Sequence, residues 1–130
     1  MKSLTKSEED LMGIFWEEKK PLTSVEILDI ASDRSWNGNY LHMMLRSLQK
    51  KGLLEACGTV RYGTQYARKF LPLLTKEEYA AKIIVSTGIK SSSIAQVTVA
   101  LAKEIGDKEE LIEQLEEIIQ ELSKNGEKES

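Results

Sequence analysis

The chain has 130 residues, a formal net charge of −3, 41% hydrophobic and 30% charged residues, and one cysteine, Cys57. This composition describes a soluble globular protein with room for one compact domain or a small domain plus an appendage, and it excludes a disordered chain. The apolar runs are too short to cross a bilayer, no signal peptide opens the chain and no intrachain disulfide can form, so a cytoplasmic protein with no membrane partner is expected.

In chain order, a short frayed start over 1 to 3 precedes Thr5 and Glu8, which have capping-box spacing. They open a first helix whose apolar side is Leu11, Met12, Ile14, Phe15 and Trp16, ending near Lys19 and Lys20 before Pro21. Thr23 and Glu26 repeat the box, with Leu22 and Ile27 placed to form a hydrophobic staple. This second helix carries Val25, Ile27, Leu28 and Ile30 and stops around Ser32. Asn37 or Asn39 can cap a third helix, and Gly52 supplies the left-handed residue that ends it after Lys51. Leu41, Met44, Leu45 and Leu48 line one side of that helix, leaving Asn39, Met43, Arg46 and Lys50 opposite. Leu53 to Cys57 and Gln65 to Lys69 read as two strands, joined by a turn between Gly58 and Gly63.

Pro72 closes this unit, and Thr75 with Glu78 makes a third box, flanked by the staple pair Leu74 and Tyr79. The remainder is helical. One helix runs from about Lys76 to Thr87 and stops at Gly88; Ser91 to Ser93 offer caps for the next, with Ile94, Val97, Leu101 and Ile105 on one side. Gly106 ends it, and Asp107 and Glu110 start the last helix. Its stripe is Leu111, Leu115, Ile118 and Leu122, with Ile112 and Ile119 beside it. The residues 125 to 130 are polar and expected to be a disordered tail. Three short helices with no sheet cannot bury these stripes alone, and the simplest covering surface is the same segment of a second chain. The rival is packing against the N-terminal unit.

Charge is unevenly placed. From Arg34 to Lys69 there are seven basic residues against one acid, Glu55; from Ala80 to Ser130 there are six Lys against ten Asp and Glu. The basic part is the one suited to a polyanion. A helix with a polar, basic outer face followed by a basic hairpin is the layout of a winged helix-turn-helix, which fits a DNA major groove and its flanking backbone. The alternative is an amphipathic helix with a solvated basic face. Met43 could touch a thymine methyl or pack, and Tyr62 could stack on a sugar or pack beneath the hairpin. His42, the only histidine, reads as a polar residue on the side of the helix, not as a ligand or base. No phosphate loop, catalytic triad or metal-ligand spacing points to an enzyme or a cofactor.

Four pieces in order resemble the penicillinase-repressor (BlaI/MecI-type) family of bacterial transcription regulators. They are Glu8, Leu11, Met12 and Trp16 in the first helix, and the run Leu22 to Ile27. Then come Trp36, Leu41, Leu45, Leu48, Lys51 and Gly52 around the third helix, and Phe70, Pro72, Leu73, Thr75, Glu77, Glu78 and Tyr79 after the hairpin. The similarity covers residues 4 to 85 by motif and the rest by architecture. It departs at Asn37, Tyr40 and Met43, where the family usually has small hydroxyl residues, and at Ser47, where it has an arginine. The family's Asn-Phe cleavage bond corresponds to Ala100-Leu101, and its copper branch's paired tail cysteines are missing, so neither switch is visible and the inducer or sensor stays open.

The expected fold is mainly α with a small β-hairpin: an N-terminal winged helix-turn-helix over 1–74, a C-terminal helical dimerisation region over 75–124, and the tail. The resemblance implies a homodimeric repressor on a dyad-symmetric double-stranded DNA operator. The DNA-binding candidates are Asn39, His42, Met43, Arg46, Lys50, Arg61, Arg68 and Lys69; the dimer candidates are Ile94, Val97, Leu101, Leu111, Leu115, Ile118 and Leu122. One alternative is a winged-helix dimer that has lost specific DNA binding and serves protein interaction. Another is a repressor with a small-molecule pocket between the two parts.

Overall fold

The computed structural model describes residues 3 to 129, with side chains for 3 to 124. Residues 1 and 2 of the expected frayed start and residue 130 of the expected tail lie outside them. The elements in order are α1 (Lys6–Glu18), β1 (Leu22–Thr23), α2 (Ser24–Ile30), α3 (Gly38–Lys50), β2 (Leu54–Tyr62), β3 (Gln65–Pro72), α4 (Lys76–Ser86), a short 3-10 turn (Ser91–Ser93), α5 (Ile94–Ile105) and α6 (Lys108–Glu129). The backbone of α6 continues as helix to Glu129, through most of the stretch expected as a tail.

All three Thr/Glu capping boxes form, on α1, α2 and α4, each with the Thr hydroxyl accepting from the Glu N–H and the Glu carboxylate accepting from the Thr N–H. Asn37, and not Asn39, caps α3: its Oδ1 accepts the Tyr40 N–H at 2.8 Å. The far end of α3 is a Schellman motif. Leu53 N–H bonds Leu48 O at 2.9 Å and Gly52 N–H bonds Gln49 O at 3.1 Å, with Gly52 at φ 79. Leu48 and Leu53 are both fully buried, so the apolar contact that accompanies this motif is present. The serines expected to cap α5 do not: Ser91–Ser93 form a 3-10 turn, and Ser93 makes no side-chain cap bond.

The hairpin is longer than expected, and the expected turn at Gly58 is a β-bulge. Ala56 pairs with Phe70 and Gly58 with Lys69, which leaves Cys57 as the extra residue and puts Gly58 at φ 153. Val60 and Tyr62, which favour strands, carry β2 onward to a tight turn at Gly63 and Thr64. Leu22–Thr23, read from sequence only as a helix entry, adds a third strand antiparallel to β3, so the sheet order is β1-β3-β2.

The core lies between α1, α2, α3 and the base of this sheet. Leu11, Met12, Phe15, Leu22, Ile27, Leu41, Leu45, Leu48 and Leu53 are essentially sealed from water, joined by Met44, Leu54 and Phe70. The chain divides into two compact units, 1–87 and 88–130. Thus α4, assigned by sequence to the segment starting at 75, packs with the first unit. Trp16 explains why: its indole N–H donates to Leu74 O at 3.0 Å and its ring lies 5.5 Å from that of Tyr79. In the second unit α5 and α6 leave their apolar stripes uncovered within one chain. No single helix among the described residues is long and apolar enough to cross a membrane.

Candidate nucleic-acid interface

The third helix sorts its residues cleanly. Leu41, Met44, Leu45 and Leu48 are buried, while Asn39, Tyr40, His42, Met43, Arg46 and Lys50 are exposed. Met43 is 65% exposed, so packing does not account for it and its thioether is free to meet an apolar group outside. Among the described residues neither Arg46 nor Lys50, nor Arg61 or Arg68 on the hairpin, forms an ion pair. Two other basic residues of this region are engaged: Arg34 bonds Asp10 at 2.8 Å and lies 5.1 Å over the Trp36 ring, and Lys51 bonds Glu8.

Strand register divides the hairpin's basic residues between two faces. Arg61 pairs with Tyr66 and Thr59 with Arg68, so these four share a face. Two residues further along β3, the same face carries Phe70, which is buried in the core and paired with Leu22. Lys69 lies on the opposite face, paired with Thr23. There it helps to lower the Glu26 carboxyl, whose largest stabilising contact is the Thr23 N–H. Of the hairpin cations named from sequence, the geometry therefore brings Arg61 and Arg68 together and sets Lys69 apart. Between α3 and this hairpin lies a groove of about 570 Å³, lined by His42, Arg46, Gln49, Tyr62, Tyr66 and Arg68 among others and by no carboxylate. With Arg46 and Arg68 among its lining and no acid to oppose them, the groove's charge favours an anion over a cation.

Besides its buried leucines, α3 is tied to α1 by a polar node that sequence reading missed. Glu8 is 3% exposed. Its Oε1 accepts from Thr5 N–H at 2.9 Å and from Lys51 Nζ at 2.6 Å, and its Oε2 accepts from Ser47 Oγ at 2.5 Å. Burial alone would raise this carboxyl's pKa; the bonds from Lys51, Ser47 and Thr5 outweigh it and bring the value down to about 2. Ser47 and Lys51 are four apart, one turn of α3, so a single carboxylate on α1 grips two successive turns of the helix. The signal was present in part, since Glu8 was legible as the partner of Thr5 in a capping box.

On α5 and α6 the sequence-named residues fall into two classes. Ile94, Leu101, Ile118 and Leu122 are exposed and Val97, Leu111 and Leu115 half-buried, with Val99, Ile105, Ile112 and Ile119 exposed as well. Exposed apolar groups in this number mark a surface suited to contact with another protein or a membrane. No group of His, Cys, Asp and Glu among the described residues could hold a metal ion.

A family model described as penicillinase repressor matches residues 4–121. No curated protein matches the chain.

Proposed function

The chain belongs to the penicillinase-repressor family, whose members are DNA-binding transcriptional repressors, and from that premise we propose that it acts as a homodimer on a dyad-symmetric operator. The observation that carries this reading is the exposed face Asn39, His42, Met43, Arg46 and Lys50, free of internal ion pairs, with Arg68 across the adjoining groove and Arg61 on the same face of the hairpin. Such a face enters the major groove while the hairpin follows the adjoining backbone. Two copies, joined through the apolar stripes of α5 and α6, place two recognition helices about one DNA turn apart or a multiple of it, and the bound dimer excludes the polymerase from the promoter. The natural compartment for this activity is the bacterial cytoplasm.

Within the face the roles differ. Arg46 can give guanine two hydrogen bonds, worth ~1–3 kcal/mol of discrimination. Lys50, Arg61 and Arg68 neutralise phosphates, which sets affinity but not sequence. Lys69 contributes only through the general field. Arg46→Ala is expected to relax preference at one position in each half-site. Lys50→Ala is expected to weaken all duplexes alike and reduce the salt slope by ~1 per subunit. Binding by a panel of single-base operator variants at several salt concentrations separates the two. Equal losses on every sequence for Arg46→Ala would remove it as the base reader.

A further inference from the structure

The hairpin reaches well past the strand that supports it. β1 pairs only with Lys69 and Phe70, so from Thr59 to Arg68 the sheet is a two-stranded ribbon. Ribbons of this kind twist strongly and are marginal on their own. At the base the bulge at Cys57 and Gly58 bends β2. Sheet hydrogen bonds therefore leave the direction of the tip open, and with it the position of Arg61 and Arg68 relative to α3.

A side-chain bond supplies what the sheet lacks. Tyr62, the last residue of β2, places its hydroxyl 3.1 Å from Thr23 Oγ1. Thr23 is a rigid partner: it is fully buried, its Oγ1 accepts the Glu26 N–H at 3.2 Å, and its own N–H donates to Glu26 Oε1 at 3.0 Å. The threonine hydroxyl keeps both a proton to donate and a lone pair to accept, so it can cap α2 and bond Tyr62 together. The tyrosine ring itself is 39% exposed, so the hydroxyl contact and not burial is what distinguishes this residue. Arg61 is its neighbour in sequence, with Nε donating to Gly63 O at 2.7 Å, so the latch lies at the same end of the hairpin as that cation.

We propose that the Tyr62 hydroxyl latches the hairpin tip to the start of α2 and so sets the position of Arg61 and Arg68 on DNA. This rests on the DNA-binding reading above and makes Tyr62 a positioning residue. The latch is independent of base sequence, because the contacts it positions are to phosphates.

The test uses the full chain and a random-sequence duplex, comparing wild type, Tyr62→Phe, Tyr62→Ala, Thr23→Ser and the double variant Arg61→Ala/Arg68→Ala with and without Tyr62→Phe. Amide exchange over 59 to 67 and salt-dependent affinity are read for each. Tyr62→Phe is expected to speed exchange in the hairpin and weaken binding roughly two- to tenfold, the equivalent of one lost hydrogen bond. Thr23→Ser, which keeps the hydroxyl, should match wild type. In the background lacking Arg61 and Arg68, Tyr62→Phe should cost nothing further, whereas a merely structural role would cost the same in both backgrounds. Unchanged hairpin exchange in Tyr62→Phe, or an equal loss in both backgrounds, overturns the proposal. So does a harmless Tyr62→Phe beside a weak Tyr62→Ala, which would assign the ring and not the hydroxyl. A wild type that fails to prefer its own upstream region over the random duplex would instead sink the specific-operator reading, while the latch stays readable on the random duplex.

Discussion

Glu8→Ala is expected to lower the stability of the 1–87 unit by about 3–5 kcal/mol, the range for breaking a buried ion pair by removing one partner. Three donors lose their acceptor at once: Thr5 N–H, Ser47 Oγ and Lys51 Nζ. Lys51 is the least stranded, since it also donates to Ser3 O at 3.1 Å and keeps some access to water. Among the described residues, Ser47 Oγ and the Thr5 N–H have no second acceptor. A domain of this size is held by only about 5–15 kcal/mol, so the variant should unfold at a much lower urea midpoint. A loss below about 1 kcal/mol would show that the node is ornamental.

The same carboxyl makes a pH prediction with a definite sign. Its pKa falls from 4.5 to about 2 on folding, so the folded state holds the ionised form more tightly. The resulting stability is fully present above 4.5 and is lost as pH drops through that value toward about 2. The size is roughly 3 kcal/mol by linkage. Glu8→Gln removes this titration, so its stability should fall less steeply over that window than the wild type's. Parallel acid unfolding curves for the two proteins would contradict the assignment.

Leu115→Asp is expected to convert the protein to monomer or to insoluble material. If the α5 and α6 stripes pair two subunits, each large-to-small change there costs ~2–5 kcal/mol, and a carboxylate at Leu115 adds an unpaired charge to a dry surface. The choice of residue follows from exposure: Leu115 is already half-buried within one chain, and its neighbours Ile118 and Leu122 are open. Sedimentation at micromolar concentration decides it. A wild type that is itself a stable monomer there would overturn the dimer, and a Leu115→Asp variant that sediments as a dimer would move the interface elsewhere. Urea unfolding of the 1–87 unit in the same variant should be unaltered.

Local signals were the legible ones. Three Thr-x-x-Glu boxes and the Gly52 terminus act over four or five residues and are visible in the string itself, while the string narrows the α3 cap to Asn37 or Asn39 and the structure shows Asn37. The buried side of α3 was legible for the same reason, because Leu41, Met44, Leu45 and Leu48 repeat with the helix. What escaped was long-range. Leu22–Thr23 becomes a strand only because Lys69 and Phe70 arrive beside it. Gly58 reads as a turn residue, yet Val60 and Tyr62 keep the strand going and turn the glycine into a bulge. The pairing of Glu8 with Ser47 and Lys51 spans about forty residues, and that of Thr23 with Tyr62 is equally distant. The exposure of Met43 and the strand face of Lys69 likewise depend on the folded chain and not on neighbours in sequence.

One binding comparison decides whether the exposed α3 face recognises a dyad operator by sequence. The purified protein is titrated onto its own upstream region and onto a random duplex of equal length at physiological salt. A preference of roughly a thousandfold or more for a site of two inverted half-sites, reduced by Arg46→Ala, is expected. Equal affinity for the two duplexes would contradict it, and the same fold would then serve to bind another protein.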